Sequence, residues 1–124
     1  MTSGSPMVVG IDKAGIKYLP SRSFFILSSK TVSDMVGECL ESGIMRVLAE
    51  EVHFAEEFFR LESLEAGEVM QKFRTYGIKF AIVVSPQKMQ ARRFKEMVAE
   101  ENRGKHFGVF TDRRKAEEWL LRGR

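Results

Sequence analysis

Residues 66–84, "AGEVMQKFRTYGIKFAIVV", join an amphipathic helix directly to an apolar strand. Four apolar residues recur at the i, i+3, i+4 and i+7 spacing of one helix face: Ala66, Val69, Met70 and Phe73. Gly77 is expected to end this helix in the left-handed conformation. The near-continuous apolar run that follows is typical of a strand covered on both faces. The stretch therefore predicts a helix-to-strand unit of an α/β protein.

The polar side of the same helix carries candidate interaction residues. Glu68 and Gln71 are expected to point away from the apolar stripe, and Lys72 flanks it, at a spacing that allows an i,i+4 ion pair with Glu68. Gly67 needs a separate explanation, because glycine inside a helix costs about 1 kcal/mol relative to alanine. We expect another backbone or a partner to come close at Gly67.

The flanking sequence extends the unit into a sheet. "IMRVLAEEV" at residues 44–52 predicts a preceding strand, and the β-α-β crossover makes the two strands parallel. Upstream, residues 7–20 predict a hairpin that turns at Gly15. Residues 30–43 predict a helix with Thr31 as part of a capping box, Cys39 on the buried stripe and Gly43 at the end. Residues 23–28 are left open between a strand and a buried loop.

The pattern repeats towards the C-terminus. Ser85 and Pro86 are suited to begin a further helix, which Gly104 would end. "HFGVF" at residues 106–110 predicts a strand and residues 112–122 a last helix. The predicted order is ββαβαβαβα: a small mixed sheet of about five strands flanked by four helices, in one α/β domain over residues 1–124.

Composition bounds the classes of function. With 124 residues, 44% of them hydrophobic and 30% charged, a single globular domain is expected. No apolar run has the length of a membrane span, and the first residues lack the features of a signal peptide, so we expect a cytoplasmic protein without membrane contact. The single cysteine excludes an intrachain disulfide and a thiolate metal site. No metal, cofactor or catalytic residue is predicted.

Charge is distributed unevenly along the chain, whose formal net charge is +3. Residues 31–65 hold nine acids against two bases, whereas residues 86–124 hold eleven bases against six acids. The basic residues alternate with glutamates and lack a stacking-aromatic motif, so nucleic-acid binding is not predicted.

The ends of the predicted strands offer a candidate ligand site. Ligands of open α/β sheets bind beyond the carboxyl ends of the strands. There, "EEVHFAEEFF" at residues 50–59 places Glu51 beside His53, which could act with Ser85 or Asp112 as an acid/base pair. The spacing matches no strong metal motif. The alternative is an exposed acidic loop anchored by two phenylalanines.

Ser63 stands at the start of the helix predicted over about residues 63–76 and is expected to be its N-cap. A phosphate on Ser63 would gain from the helix dipole and the free amides. The sequence lacks a D-S-[SG]-G phosphorylation motif, however, and capping is the simpler role. His106, at the start of a strand, is expected to be structural.

Residues 58–84, together with "EENRG" at residues 100–104 and "AEEWL" at residues 116–120, resemble a bacterial family, domain-of-unknown-function family 4180. Its signature is FF-x-L, AGE-x-x-QKF, Y-x-x-K-x-AIV and E-x-N-x-G, and the similarity is specific from Glu51 onwards. The resemblance implies no established activity, and its element order is similar to the STAS and anti-sigma-factor-antagonist fold. The matched positions add Asn102 to the candidate residues.

These observations predict two classes of function. The first is a binding or regulatory module that contacts a protein partner, or a second copy in a homodimer, through the helix of about residues 63–76 and the acidic loop of residues 51–58. The second is a small-ligand-binding protein or minor enzyme with its site at the strand ends. An enzyme needs a concave pocket with convergent polar groups, whereas an interaction module can present them on an open face.

Overall fold

The computed structural model describes residues 10–20, 25–60, 63–101 and 105–122. Within them lie five strands and five α-helices, with two short 3₁₀ turns, Glu51–His53 and Glu56–Phe59, after the third strand. In chain order they are β1 (Ile11–Lys13), β2 (Ile16–Tyr18), α1 (Val32–Ser42), β3 (Arg46–Glu50), α2 (Glu65–Thr75), β4 (Lys79–Val83), α3 (Pro86–Gln90), α4 (Arg92–Glu101), β5 (Phe107–Phe110) and α5 (Arg113–Leu121). The predicted α/β class and element order are confirmed.

The strands form one mixed sheet in the order β1-β2-β3-β4-β5. β1 pairs with β2 antiparallel, and the remaining neighbours pair parallel. Each parallel connection steps to the next strand in the same direction, so right-handed crossovers place α1, α2 and α4 on one face. α5 follows the last strand and covers the opposite face, which gives a three-layer arrangement.

Side-chain alternation along the strands supplies a core to each face. Val47 and Ala49 face the layer of α1, α2 and α4, whereas Leu48 between them packs with Ala116 and Leu120 of α5. On α2, the four residues of the predicted stripe are buried, each at most 3% exposed: Ala66, Val69, Met70 and Phe73. The helical spacing therefore predicted correctly which face of α2 meets the sheet.

The turns follow the predicted glycines. Gly43 and Gly77 have φ of 77° and 70°, the left-handed conformation that ends α1 and α2. The capping box at Thr31 is wrong, because its Oγ1 accepts from the Ser28 amide at 2.9 Å and donates to the Ile26 carbonyl at 2.7 Å. Of the open segment, residues 25–28 form no strand, and residues 23 and 24 lie outside the described residues.

The helix predicted to begin at Ser85 is two helices. Its start is as expected, since Ser85 Oγ accepts from the Lys88 amide at 3.1 Å. Ala91 then adopts extended backbone, with ψ of 133°, between α3 and α4. On a continuous helix Met89 and Phe94 would point about 140° apart, because each residue turns the helix by about 100°. The break lets both side chains pack against the same core. The predicted end, Gly104, lies outside the described residues.

Two cations hold the C-terminal end of α5 against the sheet. Arg46 Nε, at the start of β3, donates to the Leu120 carbonyl at 2.9 Å. Lys79 Nζ, at the start of β4, donates to the Trp119 carbonyl at 2.6 Å and lies 4.4 Å from the centre of the Trp119 ring. The free carbonyls at a helix end favour such cations. None of the helices in the described part of the chain has the length and apolar character needed to cross a bilayer.

Candidate functional site

The outward face of α2 is polar, as expected. Glu68 and Gln71 are exposed and Lys72 is half-buried. The predicted ion pair between Glu68 and Lys72 is not formed, although both residues are within the described part of the chain. Glu68 thus presents its carboxylate to solvent without a cation from its own helix.

A groove of about 580 Å³ lies between this face of α2 and the C-terminal end of α4. We call it the α2–α4 groove; its lining residues are Leu64, Gly67, Glu68, Gln71, Arg74, Glu100, Glu101 and His106. Three carboxylates, one guanidinium, one amide and one imidazole therefore line one open surface. In the described residues, no group of three or more histidine, cysteine, aspartate or glutamate side chains could hold a metal ion.

Gly67 lies beside the Glu101 side chain, at the C-terminal end of α4. A Cβ atom on Gly67 would come within 3.1 Å of Glu101 Oε2 and 3.9 Å of Glu101 Cδ, and apart from the surrounding backbone of α2 no other described residue comes within 4 Å of it. Both atoms belong to the end of a flexible side chain, which can move aside by a few tenths of an ångström. The described part of the chain therefore does not require glycine at this position.

The groove brings together only part of the predicted residue set. Gly67, Glu68 and Gln71 line it, Lys72 does not, and Asn102 lies outside the described residues. Sequence reasoning did not assign the five other lining residues to a site: Leu64, Arg74, Glu100, Glu101 and His106. The signal that could have found Glu100 was its place in the E-x-N-x-G element.

His53 is a structural residue rather than a ligand-binding one. Its side chain is 0% exposed. Nδ1 accepts from the Glu50 amide at 2.9 Å, so the ring proton is on Nε2, which donates to the Pro20 carbonyl at 2.8 Å. With both nitrogens engaged and no exposure to solvent, the imidazole is unavailable as the acid/base group that the sequence suggested.

The other strand-end candidates also have local structural roles. Glu51 Oε1 accepts from the Ser85 amide at 2.9 Å and so joins the end of β3 to the start of α3. Asp112 is the N-cap of α5, accepting from the Arg114 amide at 3.0 Å. The acidic loop is folded into the two 3₁₀ turns over a buried pair of phenylalanines, and none of its residues lines the α2–α4 groove.

Ser63 lies two residues before α2, whose N-cap is Leu64 with φ of 64°. Its Oγ accepts from the Glu65 amide at 3.2 Å and lies 2.9 Å from the Arg60 carbonyl oxygen. The prediction that Ser63 is the N-cap is therefore wrong by one residue, although its hydroxyl still serves the helix start. A left-handed leucine at the N-cap was not foreseeable from the spacing of apolar residues.

Opposite the helical layer, a polar network joins β2 to α5. Tyr18 donates its hydroxyl proton to Glu117 Oε2 at 2.6 Å, and the Arg113 guanidinium lies 5.0 Å from the centre of the Tyr18 ring. Burial, followed by the hydrogen bond to Glu117 and the charge of Glu117, raises the pKa of Tyr18 to about 12. Arg113 also reaches Glu50 at 3.2 Å, so the network ties α5 to two strands.

Comparison with known proteins identifies a family. A family model described as "Domain of unknown function (DUF4180)" matches residues 12–120. No curated protein and no solved structure matches the chain.

Proposed function

The chain belongs to the DUF4180 family, whose description assigns no function, and we propose that it is a protein-interaction module that forms a homodimer. In the proposed dimer the outward faces of two α2 helices pack antiparallel across a two-fold axis near Gln71. This surface is the α2 side of the α2–α4 groove.

The observation that carries the proposal is the symmetry of charge about Gln71. Glu68 and Arg74 lie three residues to either side of it on the groove-lining face of α2, and both are exposed. In an isologous contact both copies use the same surface. If one residue of the first copy contacts a different residue of the second, the reverse contact also forms. An antiparallel pair centred on Gln71 would therefore place Glu68 of each copy beside Arg74 of the other.

The same two charges do not satisfy each other within one chain. Six residues of α-helix separate them by about 9 Å along the axis, and no ion pair joins these two described residues. Leu64, 65% exposed at the start of α2, would face the C-terminal end of the partner's α2. The dimer would thus form two ion pairs between Glu68 and Arg74 and would cover the Leu64 side chain of each copy.

Gly67 supports a helix-to-helix contact at this face. Its own chain could accommodate a Cβ atom with a small shift of the Glu101 carboxylate. Gly67 is the third residue of α2, and glycine has a lower helix propensity than alanine. A close approach of a second backbone would account for its presence, as small residues let two helices pack closely.

A charge-reversal cycle tests the dimer by sedimentation velocity across a range of protein concentrations. Wild type is expected to dimerise, and Glu68→Arg or Arg74→Glu is expected to weaken the dimer at least about tenfold, because each variant opposes like charges. The double variant Glu68→Arg/Arg74→Glu is expected to recover dimerisation, since it exchanges the two signs. Arg114→Glu, an equal charge reversal on α5, should leave the dimer unchanged.

A wild type that stays monomeric at every concentration would remove the dimer proposal. A double variant no better than either single variant would show that Glu68 and Arg74 do not meet across the axis. An equal loss in Arg114→Glu would assign the effect to net charge rather than to this surface.

Two finer expectations belong to the same proposal. A hairpin followed by three parallel strands, with most helices on one face, supports the STAS-like comparison, which rests on topology alone. The proposed site of action is the bacterial cytoplasm.

A further inference from the structure

A second cavity, of about 470 Å³, lies between the Glu56–Phe59 turn and the α3–α4 junction. Four cations and one carboxylate line it, over a floor of aromatic rings. We call it the basic cavity; its charged residues are Arg60, Lys88, Arg92, Arg93 and Glu56. It shares no lining residue with the α2–α4 groove.

Lys88 is the least solvated of these cations. Its side chain is 15% exposed, and its Nζ lies 4.3 Å from the centre of the Phe59 ring. Its ion-pair partner, Glu56, is 73% exposed and 3.5 Å away. A long contact to a solvated carboxylate compensates little for the water that the ammonium has lost. A further anion in the cavity would give the Lys88 ammonium a second charged partner.

Two guanidinium groups are free to turn towards such an anion. The Arg60 side chain makes no hydrogen bond or ion pair with any described residue. Arg92 is 90% exposed and is joined to Glu96 by a 3.3 Å contact within the same helix, an interaction of small energy at the surface. The planar guanidinium fork matches two oxygens of a phosphate or carboxylate.

We propose that the basic cavity binds the phosphate group of a small molecule, held between Lys88 and the guanidinium groups of Arg60 and Arg92. The volume falls within the range of small-ligand pockets. The floor rings, Phe59 and Phe94, are almost fully buried and so cannot stack on successive bases of a nucleic acid. The site goes beyond the proposed dimer, because it does not involve α2.

Isothermal titration calorimetry in low-salt buffer tests the proposal with two probes, inorganic phosphate and phenyl phosphate. Wild type is expected to bind at least one probe, and Arg60→Gln is expected to weaken binding about tenfold through loss of a charge-assisted contact. Arg92→Gln should act in the same direction. Arg114→Gln, the same charge change on α5 and far from the cavity, should leave the affinity unaltered.

Amide chemical shifts during the same titration locate the site. Shifts confined to residues 56–60 and 88–94 support the proposal, and tighter binding of phenyl phosphate than of phosphate identifies an ester rather than the free ion as the natural class. Failure of both probes to bind, or an equal loss in Arg114→Gln, overturns it. Glu68→Arg, which is expected to weaken the dimer, should bind the probes with the affinity of wild type. The test of the basic cavity is therefore independent of whether the dimer forms.

Discussion

Glu101 Oε2 lies 3.1 Å from the position that a Cβ atom on Gly67 would occupy. The relationship joins the first turn of α2 to the last residue of α4, and both residues line the α2–α4 groove. Because the Glu101 side chain is the one described group in front of Gly67, a small side chain at this position requires only that the Glu101 carboxylate move, whereas it would obstruct a partner that approaches from outside.

Gly67→Ala is expected to stabilise the monomer and to weaken the proposed dimer. Gly37, inside α1, provides the matched control, since a Cβ atom there meets nothing within 4 Å. Each alanine should raise the free energy of unfolding by up to about 1 kcal/mol, with the smaller gain at Gly67 because Glu101 must move. Urea denaturation of the monomer measures this gain.

Only Gly67→Ala should weaken the proposed dimer, because the added methyl group keeps the two α2 helices apart. Sedimentation velocity on the same two variants measures this effect. If both alanine variants associate as wild type does, Gly67 has no place in an interface and its role is confined to the single chain.

The parts of the fold that depend on local pattern were predictable. The spacing of apolar residues along α2 and the glycines at 43 and 77 are local sequence features. The buried stripe and the left-handed helix ends that they predicted are both confirmed. The element order follows from the same signals, because a buried strand after each helix leaves only a parallel crossover.

The parts that depend on tertiary contact were not predictable. The second wall of the groove comes from Glu101 and His106, which are distant in sequence from α2 and meet it only after the sheet has formed. His53 stands among four glutamates in residues 50–57 and next to the phenylalanine at 54, a context that fits an exposed loop and a buried turn equally well. Only the fold decides that its imidazole bonds to Glu50 and Pro20.

His53→Ala is expected to destabilise the protein by about 2–4 kcal/mol, because it leaves the Glu50 amide and the Pro20 carbonyl unpaired and opens a cavity. His106→Ala, at an exposed position, is expected to change the free energy of unfolding by no more than about 0.5 kcal/mol. Chemical denaturation of both variants measures the difference. A His53→Ala variant as stable as wild type would contradict the structural role assigned to the imidazole.

Cys39 is expected to resist thiol reagents in the folded protein. Its side chain is 0% exposed, and burial raises the pKa of the thiol to about 11, so little thiolate is present at neutral pH. Reaction with iodoacetamide should therefore be at least about a hundredfold slower than in denaturant, since labelling requires opening of the core. Mass spectrometry of timed samples gives both rates. Fast labelling without denaturant would show that the Cys39 thiol is accessible to solvent in the folded protein.

Tyr18 is expected to make stability depend on pH under alkaline conditions. Its pKa is about 12 in the folded protein against 10.0 for an unperturbed tyrosine, chiefly because of burial. As the pH rises through this window the unfolded chain loses the phenolic proton first, so it binds fewer protons than the folded chain and stability falls. The contribution of Tyr18 is fully present below pH 10 and is lost as the pH passes about 12.

Tyr18→Phe removes this dependence together with the hydrogen bond to Glu117. At neutral pH the variant should be less stable than wild type by about 1 kcal/mol, the usual contribution of one hydrogen bond. The gap between the two unfolding free energies should narrow as the pH is raised through the alkaline window, because only wild type carries a phenol at this position. Tyr76→Phe, which removes an exposed hydroxyl, serves as the control. A gap that stays constant with pH would mean that Tyr18 releases its proton equally readily in the folded and unfolded chains, and that its contact with Glu117 does not persist in solution.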